Sequence, residues 1–163
     1  MVEMHLAAVR VELPSNTPVV LLQEVGGARR TLPIFIGAFE ANAIAEALQG
    51  VVRERPMTHD LLRDMLTAIG ATLDRVVVTE LRGGTYYAEL HVTAGGKSHV
   101  VSARPSDAMA LAARMGASIF ADDELVDAEG VVLAADDDDE PDEEIVNEFK
   151  QFIEGIRPED FSS

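Results

Sequence analysis

Cysteine is absent from the 163 residues, which excludes disulfides and thiolate metal sites and leaves nothing that points to an oxidising compartment. Long apolar runs are missing too. No stretch approaches the roughly 20 residues that a membrane-spanning helix needs, and the opening Met-Val-Glu-Met-His lacks the basic-then-apolar order of a secretory signal. The expectation is a soluble, cytoplasmic protein with no membrane association. Basic residues are scarce, 13 Lys and Arg against 29 Asp and Glu, for a formal charge of −16. An acidic surface repels polyanions, so the total speaks against a phosphate-backbone ligand. The distribution of charge weakens that objection: residues 136–163 hold 12 acids and 2 bases, leaving 17 acids and 11 bases over residues 1–135. Nine of those 11 bases fall between Arg29 and Arg104, so the body of the chain has room for local positive potential.

What is present is enough apolar matter for one core, 47% of residues, and a pattern that switches period along the chain. Met4 to Leu13 reads as a strand covered on both sides, and Pro14 to Pro18 breaks it. Val19 to Val25 and Arg29 to Ile36 give two further strands, most simply a β-meander. Ala41, Ile44, Ala45 and Leu48 set a helix over Ala38 to Gln49, and Leu61, Leu62, Met65, Leu66 and Ile69 give the apolar side of a second, for which Thr58 is the expected N-cap. Strands return over Asp74 to Leu81, Thr85 to Thr93 and Lys97 to Ala103, separated by Gly83-Gly84 and Gly95-Gly96. A third helix starts near Pro105 and runs to about Met115. Ser118 to Phe120 is a short strand, after which the chain reads as irregular.

The fold class expected is α+β: a mixed, largely antiparallel sheet built from two three-strand units, with three main helices packed on it and a short C-terminal helix. Glu40-Ala-Asn-Ala-Ile-Ala45 and Asp107-Ala-Met-Ala-Leu-Ala112 follow the two strand units with the same acid-Ala-x-Ala-aliphatic-Ala order, a faint internal echo. Residues 1–133 form the domain. Residues 134–144 are an acidic linker, too charged to bury apolar area and expected to be disordered. In residues 145–163, Ile145, Phe149, Phe152, Ile153 and Ile156 fall at helical spacing, an amphipathic helix fit to dock on the body or on a protein partner.

Chemistry-bearing residues gather at the starts of the helices. Glu40, His59 and Asp107 each lie in a first helical turn, at the edge of the apolar stripe, where open N–H groups and the positive end of the macrodipole favour anions. The ordinary explanation for an acid there is a dipole contact of about 0.3–1 kcal/mol, and a lone His beside a Thr is more often structural than catalytic. Two runs raise the stakes: Arg55-Pro56-Met57-Thr58-His59-Asp60 and Arg104-Pro105-Ser106-Asp107 each combine a cation, a proline, a hydroxyl and a carboxylate. Convergence of the two would offer arginine for phosphate and carboxylates for a metal or for water activation. His5, His91 and His99 lack metal-ligand spacing and read as strand residues, the glycine pairs read as hairpin turns, and of Tyr86 and Tyr87 one should point into the core.

These blocks, with Pro33-Ile34-Phe35-Ile36-Gly37 ahead of Glu40 and Thr85-Tyr86-Tyr87-Ala88 between the runs, resemble the bifunctional nuclease domain in order and spacing over roughly residues 1 to 130. The resemblance implies a mixed-sheet, oligomeric domain, a dimer being favoured, with nuclease activity toward DNA and RNA. It carries over Glu40, Thr58, His59, Asp60, Arg104, Ser106 and Asp107. Many members hold an acid two residues before Arg-Pro-Ser-Asp, where this chain has Ser102, which weakens any metal site. The leading expectation is a phosphodiesterase: Glu40, His59, Asp60 and Asp107 catalytic, Arg55, Thr58, Arg104 and Ser106 binding substrate, with Glu40 and Asp107 as candidate ligands of a divalent cation, Mg²⁺ or Mn²⁺. The alternative is a non-enzymatic regulatory or adaptor protein that binds a protein partner or a small anionic ligand through the same helix starts.

Overall fold

A computed structural model describes residues 1–133; the expected acidic linker and C-terminal helix lie outside the described residues. The first unit is β1 (Val2–Glu12), β2 (Thr17–Glu24) and β3 (Thr31–Phe35), followed by α1 (Ala38–Leu48) and α2 (Thr58–Ala68). The second is β4 (Thr72–Arg82), β5 (Thr85–Ala94) and β6 (Lys97–Ala103), followed by α3 (Pro105–Met115). A short β7 (Ser118–Ala121) and α4 (Asp123–Glu129) complete the described chain.

The seven strands form one sheet in the order β3-β2-β1-β7-β4-β5-β6. Each unit is an antiparallel meander whose first strand lies next to β7, antiparallel for β1 and parallel for β4. The α+β class and the mixed, mostly antiparallel sheet are therefore as expected. Tight turns explain the second meander: Arg82 pairs with Thr85 across Gly83-Gly84, and both glycines take positive φ, 58° and 78°. A two-residue hairpin with positive φ at both positions matches the twist of its strands and excludes most side chains.

The apolar sides of β2, β3, β4 and β5 pack with α1 and α3 around Leu22, Leu32, Ile34, Ile44, Val76, Val78, Met109 and Leu111, all at most 2% exposed. Burial of such side chains contributes about 1.5–3 kcal/mol each. Three expectations are corrected. β1 is covered on one side only: Met4 is buried whereas Glu3, His5 and Ala7 are exposed, and a bulge between Leu6 and Ala8 shifts the register. The segment after Phe120 is not irregular, because Asp122 accepts the Glu124 N–H at 3.0 Å and caps α4, burying Leu125 and Val126. The apolar side of α2 faces outward: Leu61, Leu62, Met65 and Ile69 are 40–71% exposed, and only Leu66 of that set packs on the core. The helix leans on α3 through its polar first turn instead.

Candidate functional site

Three helices bring a carboxylate to the same position, the third helical residue: Glu40 of α1, Asp60 of α2 and Asp107 of α3. N–H groups there have no partner within the helix and carry partial positive charge, so each acid is favoured locally. All three also reach beyond their own helix. Arg104, the residue before α3, donates from Nη2 to Glu40 Oε1 at 2.8 Å and from Nε to Asp107 Oδ2 at 2.7 Å. The other oxygen of Asp107, Oδ1, lies 2.9 Å from His59 Nε2 on α2. A continuous line Glu40–Arg104–Asp107–His59 thus ties the starts of all three helices together.

Burial grades along that line. His59 and Glu40 side chains are 12% and 16% exposed, Asp107 is 30% and Arg104 is 65%. Burial pushes the Asp107 carboxyl up, but the hydrogen bonds from Arg104 and His59 and their charges outweigh it and hold the group below its ordinary value. Asp107 is therefore ionised near neutral pH and can only accept. His59 Nε2 must carry the hydrogen it shares with Asp107, which leaves Nδ1, without a partner among the described residues, as the nitrogen able to take a proton.

Glu40 owes its reach to Gly37. The helix N-cap has φ −75° and ψ 157°, ordinary for any residue, yet a Cβ there would collide with Glu40 Oε2. The glycine is needed for close approach rather than for backbone freedom. Asp60 goes elsewhere: it accepts the Met57 N–H at 3.0 Å and Arg114 Nε at 2.7 Å. The Arg114 hydrogen bond is the main reason its carboxyl is held below the usual range. Met57, not Thr58, is thus the N-cap of α2, and Thr58 is an exposed first helical residue. Sequence reasoning missed Arg114. Its side chain, 6% exposed, also donates from Nη1 to Ala43 O at 2.8 Å and Ala110 O at 2.9 Å, so it clamps α1, α2 and α3 behind the Asp107 line.

Beside this line lies a cleft of about 390 Å³ between the end of β3, the β4–β5 turn and the start of α3. Arg104 and Ser106 line it, with Phe35, Gly37 and Tyr86. Of the residues singled out from sequence, Glu40, His59, Arg104 and Asp107 converge, and Ser106, between Arg104 and Asp107 at the start of α3, lines the cleft. Arg55 does not join: it is exposed and makes no side-chain bond among the described residues. Asp60 supports from behind. Arg53, the neighbouring base, is engaged by the buried Glu46, which Asn42 also contacts at 3.2 Å. Of the two tyrosines, Tyr86 packs on the core while Tyr87 lies under Arg82, 4.5 Å from guanidinium to ring centre.

No group of three or more His, Asp or Glu side chains among the described residues is arranged to hold a metal ion. The Arg104 guanidinium fills the space between Glu40 and Asp107 that a shared cation would take. No helix among the described residues is long and apolar enough to cross a membrane.

Fold and site together define a small α+β domain that displays arginine-paired acidic side chains and a histidine at clustered helix starts beside a cleft. The bifunctional nuclease domain model matches residues 20–134, and the chain belongs to that family. It is similar to an uncharacterized protein found in two strains of Mycobacterium tuberculosis, each 41% identical over 165 residues that cover 99% of this chain and 98% of the relative. It is also similar to Bifunctional nuclease 2 of Arabidopsis thaliana, 30% identical over 124 residues. That match covers 73% of this chain and 38% of the plant protein.

Proposed function

We propose that the chain hydrolyses phosphodiester bonds in DNA and RNA. The observation that carries the reading is the pairing of His59 with an ionised Asp107 whose second oxygen is held by the exposed Arg104. DNA has no 2′-hydroxyl, so an enzyme acting on both polymers does not rely on attack by the ribose, and water is the nucleophile in this reading. Water gives its proton to His59 Nδ1 as its oxygen bonds to phosphorus. The bond from phosphorus to the leaving sugar oxygen breaks, and that oxygen takes a proton from solvent. Asp107 orients the imidazole and stabilises its cationic form, as an orienting carboxylate does for a general base. Arg104 keeps Nη1 uncommitted among the described residues and supplies positive charge where the phosphoryl oxygens become more negative. Glu40 and Asp107 hold that guanidinium in place. A divalent cation at those two carboxylates would have to displace Arg104 from both, so no step is assigned to one. The test is turnover of single-stranded DNA and RNA by purified wild type, His59→Ala and Asp107→Ala, with chelator and with Mg²⁺ or Mn²⁺. Loss in both variants is the expected result; equal turnover by all three proteins exposes a contaminant and removes the reading.

A second reading, a non-enzymatic regulatory or adaptor protein, is favoured by the outward face of α2. Met57, Leu61, Met65 and Ile69 recur every fourth residue and are 56%, 50%, 58% and 71% exposed, an apolar stripe of the kind that seats a protein partner. Pull-down with a turnover assay decides it: a partner held by wild type and lost in Leu61→Glu plus Met65→Glu, from a protein without turnover, supports the reading, and turnover that is lost in His59→Ala ends it.

A further inference from the structure

The cleft has chemistry that the hydrolytic line does not use. Its 390 Å³ lies within the roughly 300–1,000 Å³ typical of small-molecule sites. One wall is aromatic: Phe35, 56% exposed at the end of β3, and Tyr86, half-buried on β5. The start of α3 also lines the cleft. Ser106 lines the cleft at 6% exposure, and its hydroxyl has no hydrogen-bond partner among the described residues. The residue is buried, yet its hydroxyl is not sealed from solvent, so the unpaired oxygen is available to a ligand in the cleft. The first bond of α3 runs from the Ala108 N–H to Arg104 O at 3.1 Å, so the N–H groups of Ser106 and Asp107 precede it and stay open, while Pro105 has none to offer. Arg104 stands at the edge with its free Nη1.

We infer that this cleft binds a single phosphorylated nucleoside unit. Its phosphate lies on the Ser106 hydroxyl, the open N–H groups of α3 and Arg104, and its base stacks on Phe35. The buried serine is what separates this from an ordinary helix start, and the aromatic wall is what separates a nucleotide from bare phosphate. Hydrophobic and stacking contact together with three kinds of anion donor suits a group that is planar at one end and anionic at the other. The unit is either a free mononucleotide or the terminal residue of a strand. The inference rests on the phosphodiesterase reading for the identity of the ligand, not for the existence of the site.

Titration of the full chain by NMR with adenosine 5′-monophosphate, adenosine, inorganic phosphate and a 5′-phosphorylated tetranucleotide tests it. Saturable shifts at Ser106 and Asp107 amides and at the Phe35 ring are expected with the monophosphate, and weaker binding with adenosine or phosphate alone. Tighter binding of the tetranucleotide assigns the cleft to a strand end, and equal binding assigns it to a free nucleotide. Ser106→Ala, which removes only an unpaired hydroxyl, should weaken the monophosphate about tenfold, and exposed Phe35→Leu about tenfold as well. Absence of shifts at these residues, or equal affinity in both variants and wild type, overturns the inference. His59→Ala keeps the two readings apart: it should bind the monophosphate like wild type while losing turnover. Turnover that depends on His59 without any monophosphate binding defeats the cleft assignment alone.

Discussion

His59 and Asp107 stand 48 residues apart in sequence and meet at 2.9 Å, Nε2 to Oδ1. The contact fixes the hydrogen on Nε2 and leaves Nδ1 as the nitrogen with a free lone pair, because an ionised carboxylate accepts and does not donate. Asp107→Asn keeps the shape but can present its amide N–H₂ to the ring, favouring the wrong tautomer. Turnover of single-stranded DNA should fall by about 10²-fold or more, with the fold kept, as circular dichroism and gel filtration can verify. Arg55→Ala, a change at an exposed residue outside the line, should reduce turnover far less. A larger effect at Arg55 than at Asp107 refutes this division of roles.

Gly37 and Glu40 give a narrower test. Gly37→Ala brings a Cβ against the Glu40 carboxylate, which must swing away and release Arg104. Stability should fall by about 1 kcal/mol at most, because alanine is a poorer N-cap than glycine, while turnover drops about tenfold through the loosened arginine. Restoration of activity in Gly37→Ala plus Glu40→Gln would show that the carboxylate itself is unimportant.

Arg114 should matter for folding rather than for chemistry. With 6% of its side chain exposed, it serves Asp60 and the carbonyls of Ala43 and Ala110. Arg114→Ala leaves the largely buried Asp60 carboxylate without its cation, with only the Met57 N–H, and removes the added donor on two helix carbonyls, a loss of about 3 kcal/mol in urea denaturation. Lysine should recover only part of it, because a point charge cannot replace a planar fork that reaches three acceptors. A loss below about 1 kcal/mol would mean that the three helices hold together without the clamp.

Acid should unlock the same region. Asp60 and Asp107 both have carboxyl groups held below their ordinary 3.8. A carboxylate with a depressed folded value adds stability above its unfolded value, and that contribution fades as pH falls through the folded one. The urea midpoint should therefore be flat above about pH 5 and decline steadily below about pH 4. Arg114→Met should flatten part of that decline, because the Arg114 hydrogen bond is the leading cause of the Asp60 shift. An unchanged acid slope in Arg114→Met would contradict that cause.

Much of this molecule is readable from its residues alone. Both meanders and the three main helices come from period and turn residues, and Glu40, His59, Arg104 and Asp107 are each legible as helix-start residues, all of which is local; that the four meet is not. The network beyond them is not readable in that way. A base in the last turn of α3 reads as a partner for the helix dipole, so nothing marks Arg114 as a buried clamp. Gly37 matters only because a side chain three residues later folds back over it. The apolar side of α2 is legible as a stripe but not its direction, because a helical period shows that one side is apolar and says nothing of what covers it. Nor can pairing of β7 with both meanders be foreseen, since strand order depends on contacts distant in sequence.

That last strand has a temporal meaning. β7 is four residues long, yet Ile119 sits between Met4 of β1 and Val76 of β4, and Ala121 between Val2 and Val78. Until β7 pairs, each meander has its first strand bare along one margin, even with α1, α2 and α3 already joined through Arg104 and Arg114. Such margins recruit other chains as readily as their own. A chain stopped before Ser118 should consequently accumulate as aggregate rather than as two independent halves.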